Sequence, residues 1–269
     1  ASVVDPARID VLISNHAEPD HSGYIAETIE RVKPSVTYAS KSGQKALQEH
    51  FRIGEKITPV SEGQTIDLGG LHIVFAETKM CHWPDSMVSY LPERELLFSQ
   101  DAFGMHLASH ERFADQLDEG LLRYEAAKYY ANILLPLGTF VKRSLQKLGD
   151  LGIKISIIAP DHGPIYRKPP FWVVDEYAKW AEQKRNDKVV VLYDTMWHHS
   201  ELMARAVGEG VGEAGARPTL MPLAGSHRSE VATRLLEAGG LLVGAPTMNN
   251  EMYPRMADVL TYMKGLRPK

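Results

Sequence analysis

His16-Ala17-Glu18-Pro19-Asp20-His21 is the stretch on which the reading of this chain turns. It follows an apolar run, Ile9 to Ser14, whose Val11–Ser14 part reads as a core strand. Turn residues come next, so the six residues are expected to form a loop where side chains can converge on one point. Two imidazoles and two carboxylates that bracket a proline at the end of a strand make a donor set suited to a metal. A lone histidine there reads as a polar surface residue, but four donors together do not. The donor types alone do not name the metal.

Three more candidates sit in similar settings. His82 lies past the strand-like run Leu71–Phe75, in His82-Trp83-Pro84-Asp85-Ser86-Met87. Asp101 follows Leu96–Phe98, and His162 follows Ile155–Ala159 in Pro160-Asp161-His162-Gly163. Any one of them alone reads as a turn residue. Together with the loop they give seven donors: His16, Glu18, Asp20, His21, His82, Asp101 and His162. That is too many for one tetrahedral ion and suits two ions sharing a bridge. Oxygen and imidazole donors without thiolate suit iron or manganese at least as well as zinc. Cys81 adjoins His82, but neighbours on an extended chain point apart, and it reads as a buried thiol that binds no metal. His50, His72, His110 and His227 lack a surrounding motif, and His106, beyond the Asp101 loop, is likewise read as no ligand.

The rest of the 269 residues sets bounds on function. Apolar residues make up 44 % and charged residues 24 %, so the chain can bury a core. The 30 basic and 34 acidic side chains give a net charge of −4, without the basic excess of a general nucleic-acid binder. No apolar run reaches the ~18 residues of a membrane span. The single cysteine cannot form an internal disulfide, which points to a reducing, cytoplasmic compartment. Gly120 to Leu148 is the longest helical stretch, and Pro136 within it predicts a kink or two helices. From Lys188 onward, strands and helices alternate and the strands are continuously apolar, the pattern of a parallel sheet covered by helices. The expected division is 1–170, a connecting helix at 171–187, and 188–269.

Two loops of the second part follow strand ends. Val189–Tyr193 runs into Asp194-Thr195-Met196-Trp197-His198-His199-Ser200, after which a helix begins. A hydroxyl-bearing loop at a helix N-terminus suits an anion, though an ordinary cap at Ser200 explains it equally well. No Gly-x-Gly-x-x-Gly is present, which counts against a dinucleotide. Leu241–Gly244 runs into Ala245-Pro246-Thr247-Met248-Asn249-Asn250, at the carboxyl end of a strand, where open α/β sheets bind ligands.

The order of the seven donors resembles the metallo-β-lactamase fold, whose usual loop is His-x-His-x-Asp-His. Glu18 stands where the second histidine would be. That exchange, together with His82–Met87, Asp101-Ala102-Phe103-Gly104 and Ala127-Lys128-Tyr129-Tyr130-Ala131-Asn132-Ile133-Leu134, resembles the flavodiiron proteins. The resemblance implies a metallo-β-lactamase-like αββα sandwich, incomplete at its N-terminus, then a flavodoxin-like doubly wound parallel sheet, incomplete at its C-terminus. The chain is accordingly expected to be an internal portion of a longer enzyme.

The resemblance also implies one iron held by His16, Glu18 and His82, and a second held by Asp20, His21 and His162, with Asp101 bridging. Trp83 would wall the site. FMN would lie at Thr195, Met196, Trp197, His198, His199 and Ser200 and at Pro246, Thr247, Met248, Asn249 and Asn250. The family usually has a Ser-Thr pair in the first loop, where His199-Ser200 stands here, and a third flavin loop that would lie beyond Lys269. The implied activity is an oxidoreductase passing electrons from FMN to two irons per subunit, reducing dioxygen to water or nitric oxide to nitrous oxide. Implied partners are rubredoxin or a reduced deazaflavin as donor, and a second subunit in a head-to-tail homodimer or tetramer. A zinc-dependent hydrolase of the same metal fold with an appended flavodoxin-like domain is the alternative, which Glu18 and the flavin-like loops disfavour. A flavodoxin-like electron carrier with a structural metal site is a third.

Overall fold

Strand β1 (Val11–Ser14) is short because the polar residues Asn15 and His16 follow it. In this computed structural model, which describes residues 4–169 and 171–268, β1 leads into the helical turn α1 (Pro19–Ser22) and helix α2 (Ile25–Val32). The limits expected at residues 1, 170 and 269 lie outside the described residues. Strand β2 (Val36–Ser40), helix α3 (Lys41–Phe51) and strand β3 (Thr58–Val60) complete a parallel sheet of order β1-β2-β3. The hydroxyl of Ser40 caps α3 by accepting from Gly43 N–H.

A second sheet has the order β4 (Thr65–Asp67), β5 (His72–Glu77), β6 (Met87–Leu91), β7 (Leu96–Gln100) and β8 (Ile157–Pro160). Its pairs are antiparallel except β7 with β8. Alternate residues of the two sheets meet: Ile13, Tyr38 and Val60 pack with Ile73, Phe75 and Met87. On its other face, the first sheet buries Ala17 and Ala39 with Leu47, Ile25 and Ile29 of the helices. Helices, first sheet and second sheet thus lie in successive layers, and Lys147 of the later helix Gly138–Asp150 donates to Glu77 O of β5 on the second sheet. The loops after β1 and β7 leave the core at residues 15 and 101, close to the loop after β8.

The long helical stretch is two helices, α4 (Glu119–Tyr129) and α5 (Gly138–Asp150). A π-turn at Tyr130–Leu134 and a tight turn at Leu135–Leu137 separate them, since Pro136 has no N–H to continue a helix.

The chain forms two compact units, and they are not contiguous in sequence. The first comprises residues 1–122 and 139–174, the second 123–138 and 175–269. Residues 123–138, which the expected division gives to the first domain, pack in the second unit, as does most of helix α6 (Trp172–Glu182). The second unit's sheet is parallel, of order β10-β9-β11, from β9 (Lys188–Tyr193), β10 (Arg217–Pro222) and β11 (Gly240–Gly244). Val190, Val191, Leu192 and Tyr193 are all buried, so β9 is covered on both faces. Helix α7 (His199–Glu213) covers one face through Ala204, against Val191 and Tyr193. Helices α8 (Arg228–Leu235) and α9 (Pro254–Leu266) pack on the π-turn, where Asn132 donates to Ser229 O and accepts from the Tyr262 hydroxyl. A small hairpin, β12 (Thr247–Met248) with β13 (Glu251–Met252), lies between β11 and α9.

Candidate metal centre and flavin loops

The six-residue stretch is not wholly a loop. Glu18 is the cap and Pro19 the first residue of α1, a position that suits proline's fixed φ. The Ser22 hydroxyl ties the turn back by donating to Ala17 O at 2.7 Å. The turn thus presents Glu18, Asp20 and His21 beside His16.

The structure brings all seven expected donors into two adjoining groups. His16, Glu18, His82 and Asp101 form one and Asp20, His21 and His162 the other, with donor atoms inside each group within 4.8 Å of one another. Glu18 Oε2 lies 3.2 Å from His16 Nε2 and 3.1 Å from His82 Nε2. Asp101 reaches both groups. Its Oδ2 is 3.3 Å from His16 Nε2 and 3.6 Å from His82 Nε2. Its Oδ1 is 3.0 Å from His21 Nε2 and 3.3 Å from His162 Nε2. Asp20 Oδ2 lies 3.3 Å from His162 Nε2. His16 and Asp101 are buried, whereas the Asp20 side chain is 52 % exposed, so the second group borders solvent.

Charge is concentrated here. Burial opposes a charged His21, yet hydrogen bonds to Asp101 and Asp161 push it up to about 10. Burial opposes a charged His16 too, but its Asp85 hydrogen bond and the charges of Asp85 and Asp101 raise it. The Asp101 hydrogen bond raises His162. Burial works against an ionised Asp101, but His162 and His21 hold it below the usual carboxylate range. Imidazoles and carboxylates packed this closely favour one another's charged forms, and a bound cation would take the place of the protons.

Other residues shape the site. Trp83 stands edge-on to His16, ring centres 5.4 Å apart. His106 stands edge-on to His162 at 5.1 Å and belongs to neither donor group. Cys81 is buried, donates to Ser144 Oγ at 3.4 Å and is pushed up to about 11 by burial; it too is outside both groups. Gly104 allows the Asp101 and His162 loops to approach, because a Cβ there would lie 2.9 Å from Asp101 O and 3.0 Å from His162 O.

Two carboxylates missing from the sequence-based set touch the histidines from behind. Asp85 lies 3.2 Å from His16 Nδ1, and Asp161 lies 3.1 Å from His21 Nδ1. Asp161 was discoverable as the neighbour of His162. Asp85 stands three residues after His82 but serves His16, a pairing across 69 residues that spacing does not reveal.

In the second unit, the two loops expected to hold a flavin leave the adjacent strands β9 and β11. Asp194 N–H donates to Gly244 O, which ties the loops together at their roots. A cavity of about 210 Å³ lies between α7 and β11, lined by Tyr193, Ser200, Met203, Leu242 and Ala245 among others. Thr195 Oγ1 is buried and meets no hydrogen-bond partner among the described residues. Met196, Trp197, His198 and His199 are exposed. His198 adopts φ 65° and pairs with Glu201. The Pro246–Asn250 stretch is not wholly a loop: Thr247–Met248 is strand β12, and Asn249 and Asn250, both at positive φ as such two-residue turns require, are the turn of the hairpin.

Comparison with known proteins bears on both units. A family model described as ODP family beta lactamase matches residues 1–163, and one described as Flavodoxin matches residues 191–267. A rubredoxin-oxygen oxidoreductase of Megalodesulfovibrio gigas is 40 % identical over 272 residues, covering 100 % of this chain and 68 % of the relative. A nitric oxide reductase of Moorella thermoacetica is 40 % identical over 268 residues, covering 99 % of this chain and 67 % of that one. Among solved structures, the flavodiiron protein from Giardia intestinalis superposes with a TM-score of 0.92 at 28 % identity, over 98 % of this chain and 65 % of its own. The rubredoxin oxygen:oxidoreductase from Desulfovibrio gigas superposes with a TM-score of 0.95 at 39 % identity, over 100 % of this chain and 68 % of its own.

The chain belongs to the flavodiiron protein family. It spans about two thirds of the length of these relatives. Its architecture is a metallo-β-lactamase-like domain followed by a flavodoxin domain, as the sequence implied. The His/Asp cluster falls in the first domain.

Proposed function

We propose that this chain carries the catalytic centre of an oxidoreductase that passes electrons from FMN to two irons and reduces dioxygen to water, nitric oxide to nitrous oxide, or both. The observation that carries this reading is Asp101, whose two oxygens face separate sets of imidazoles. Two cations sharing one carboxylate require that arrangement. His16, Glu18 and His82 would hold one iron, and Asp20, His21 and His162 the other, with Asp101 between them. When bound, the iron pair supplies one-electron redox chemistry with positions open to a diatomic gas, and FMN supplies the electrons.

The protein's own residues provide the rest. The donors fit such a pair, because Glu18, Asp20 and Asp101 offset much of the charge of two divalent ions and no thiolate competes. Trp83, against His16, shields the buried flank of the site from water. Asp20 keeps the other flank open, where a small gas and protons can enter. In the second unit, the buried Thr195 hydroxyl and the N–H groups that open α7 suit a phosphate, with His199 and Ser200 beside it. The Pro246–Asn250 turn, on the neighbouring strand, would meet the edge of the isoalloxazine ring.

Further points follow from the family resemblance and from relatives named for rubredoxin, oxygen and nitric oxide. The electron donor is a rubredoxin or a reduced deazaflavin. The subunits pair head to tail, as dimer or tetramer, so that one subunit's FMN serves another's irons. The functional division is 1–170 for the metal site, 171–187 as connector and 188–269 for FMN. The compartment is the cytoplasm; no helix among the described residues is long and apolar enough to cross a membrane.

The test is iron analysis with oxygen and nitric oxide consumption, using a chemically reduced donor. Two irons per chain and turnover of at least one gas are expected. A single tightly held zinc after growth in ample iron, without gas consumption, would overturn the reading.

A further inference from the structure

Asp85 is 2 % exposed, with a carboxylate facing the back of His16. Its Oδ2 accepts from Ala17 N–H at 2.7 Å. His16 Nδ1 lies 3.2 Å from Oδ2 and 3.3 Å from Oδ1. Ala17 reaches only one of the two oxygens, so the other depends on His16 for a donor among the described hydrogen bonds. A buried carboxylate is acceptor-only and costly to leave unmatched. The opposite ring nitrogen, Nε2, points at Glu18 and Asp101. A neutral imidazole carries one proton, and it can reside on only one of these nitrogens.

We propose that Asp85 is a positioning residue that keeps the His16 proton on Nδ1 and thereby leaves the Nε2 lone pair free to bind a metal. The proposal rests on the reading that the first donor group takes a metal. The geometry makes the claim specific to the charge of Asp85 and not merely to its bulk. In Asp85→Asn, the amide oxygen can still accept from Ala17. The amide nitrogen then faces His16 Nδ1 as a donor, which calls for a bare Nδ1 and moves the proton to Nε2. That proton stands where the metal must bind. Partners behind a ligating histidine typically change metal affinity about 10–100-fold when removed.

A separate contact supplies the structural control. The Asp85 backbone carbonyl accepts from Ser40 Oγ at 2.8 Å, so Ser40→Ala loosens the same loop and leaves the carboxylate in place. The experiment titrates metal-free wild type, Asp85→Asn and Ser40→Ala with Fe(II) under anaerobic conditions, and with Zn(II), against a chromophoric chelator. Proton–nitrogen correlation spectra of the Zn(II)-loaded proteins give a second readout.

Wild type is expected to take two ions and to show a slowly exchanging Nδ1–H on His16. Asp85→Asn is expected to bind one of the two ions about 10–100-fold more weakly and to lack that signal. Ser40→Ala is expected to melt at a lower temperature and to keep wild-type affinity. Equal affinities for wild type and Asp85→Asn would overturn the proposal, as would equal losses in Asp85→Asn and Ser40→Ala. If Asp85→Asn does not fold, the wild-type spectrum decides alone, and absence of the Nδ1–H signal in metal-loaded protein overturns the assignment. Wild-type protein that binds no metal at all would fail the reading of the site itself, a result distinct from these.

Discussion

A Cβ at Gly104 would press on the backbone carbonyls of Asp101 and His162, neither of which is the flexible end of a side chain. Gly104→Ala is therefore expected to cost about 1–3 kcal/mol of stability and to spread the two loops. Metal titration and thermal melting would check it; wild-type affinity in a fully folded variant would contradict the claim. Thr195 makes the opposite case. Its buried hydroxyl meets no hydrogen-bond partner among the described residues. Thr195→Val keeps the shape and removes that hydroxyl, so the ligand-free variant should be as stable as wild type or slightly more so. A hydrogen bond to a charged group contributes about 1.5–3 kcal/mol, so FMN affinity should fall at least tenfold while riboflavin, which has no phosphate, binds unchanged. Parallel fluorescence titrations would decide; equal losses for both flavins would place the phosphate elsewhere. All seven members of the two groups were legible in the sequence because they lie beyond strand-like runs, where side chains are delivered to one edge of the two-sheet sandwich. Asp85 was not, since only folding sets it behind His16.

Among the elements, the segments that hold His162 in place are pinned by charge. The turn at Ala114–Gln116 bonds to the chain beyond β8, with Ala114 N–H donating to Ile165 O. Asp115 then pairs with Arg167 at 3.0 Å and Lys168 at 2.8 Å. These cations hold the Asp115 carboxyl down at about 2. A folded-state value below the ordinary carboxylate value of about 3.9 means stabilisation that is present above pH ~4 and lost as pH falls through ~2. Asp115→Asn should therefore melt below wild type at pH 7, and the gap should close toward pH 2. Melting curves across that range test it; a gap independent of pH would assign the effect to packing. Elements differ in how readily they were read. The break at Pro136 follows from proline chemistry. Strands β3 and β4, each three residues long, carry too few positions for a period to emerge, and β3 contains Pro59.

Over the chain as a whole, the helical reading of Gly120 to Leu148 did not reveal which core its residues 123–138 would join. Asn132, bonded to Ser229 and Tyr262, is part of what commits that segment to the second unit. The functional groups divide more cleanly than the chain does. All seven candidate donors lie in the first unit, and every residue expected to meet a flavin lies in the second. A ligand stabilises the structure that binds it by about 2.7 kcal/mol at a concentration 100 times its Kd. Opening of the bound region is suppressed by the same factor, so backbone hydrogen exchange reports where each ligand acts. Stripping metal from the loaded chain with a chelator should speed exchange in residues 15–22, 81–86, 101–105 and 160–163, and leave 189–200 and 241–250 unchanged. Adding FMN should slow exchange in the latter two segments alone. The decisive measurement is exchange mass spectrometry on the metal-loaded, metal-stripped and FMN-saturated chain. If stripping metal exposed β9 and β11 as strongly as β1 and β7, the metal would be stabilising both units, and the assignment of separate metal and flavin sites to separate cores would be wrong.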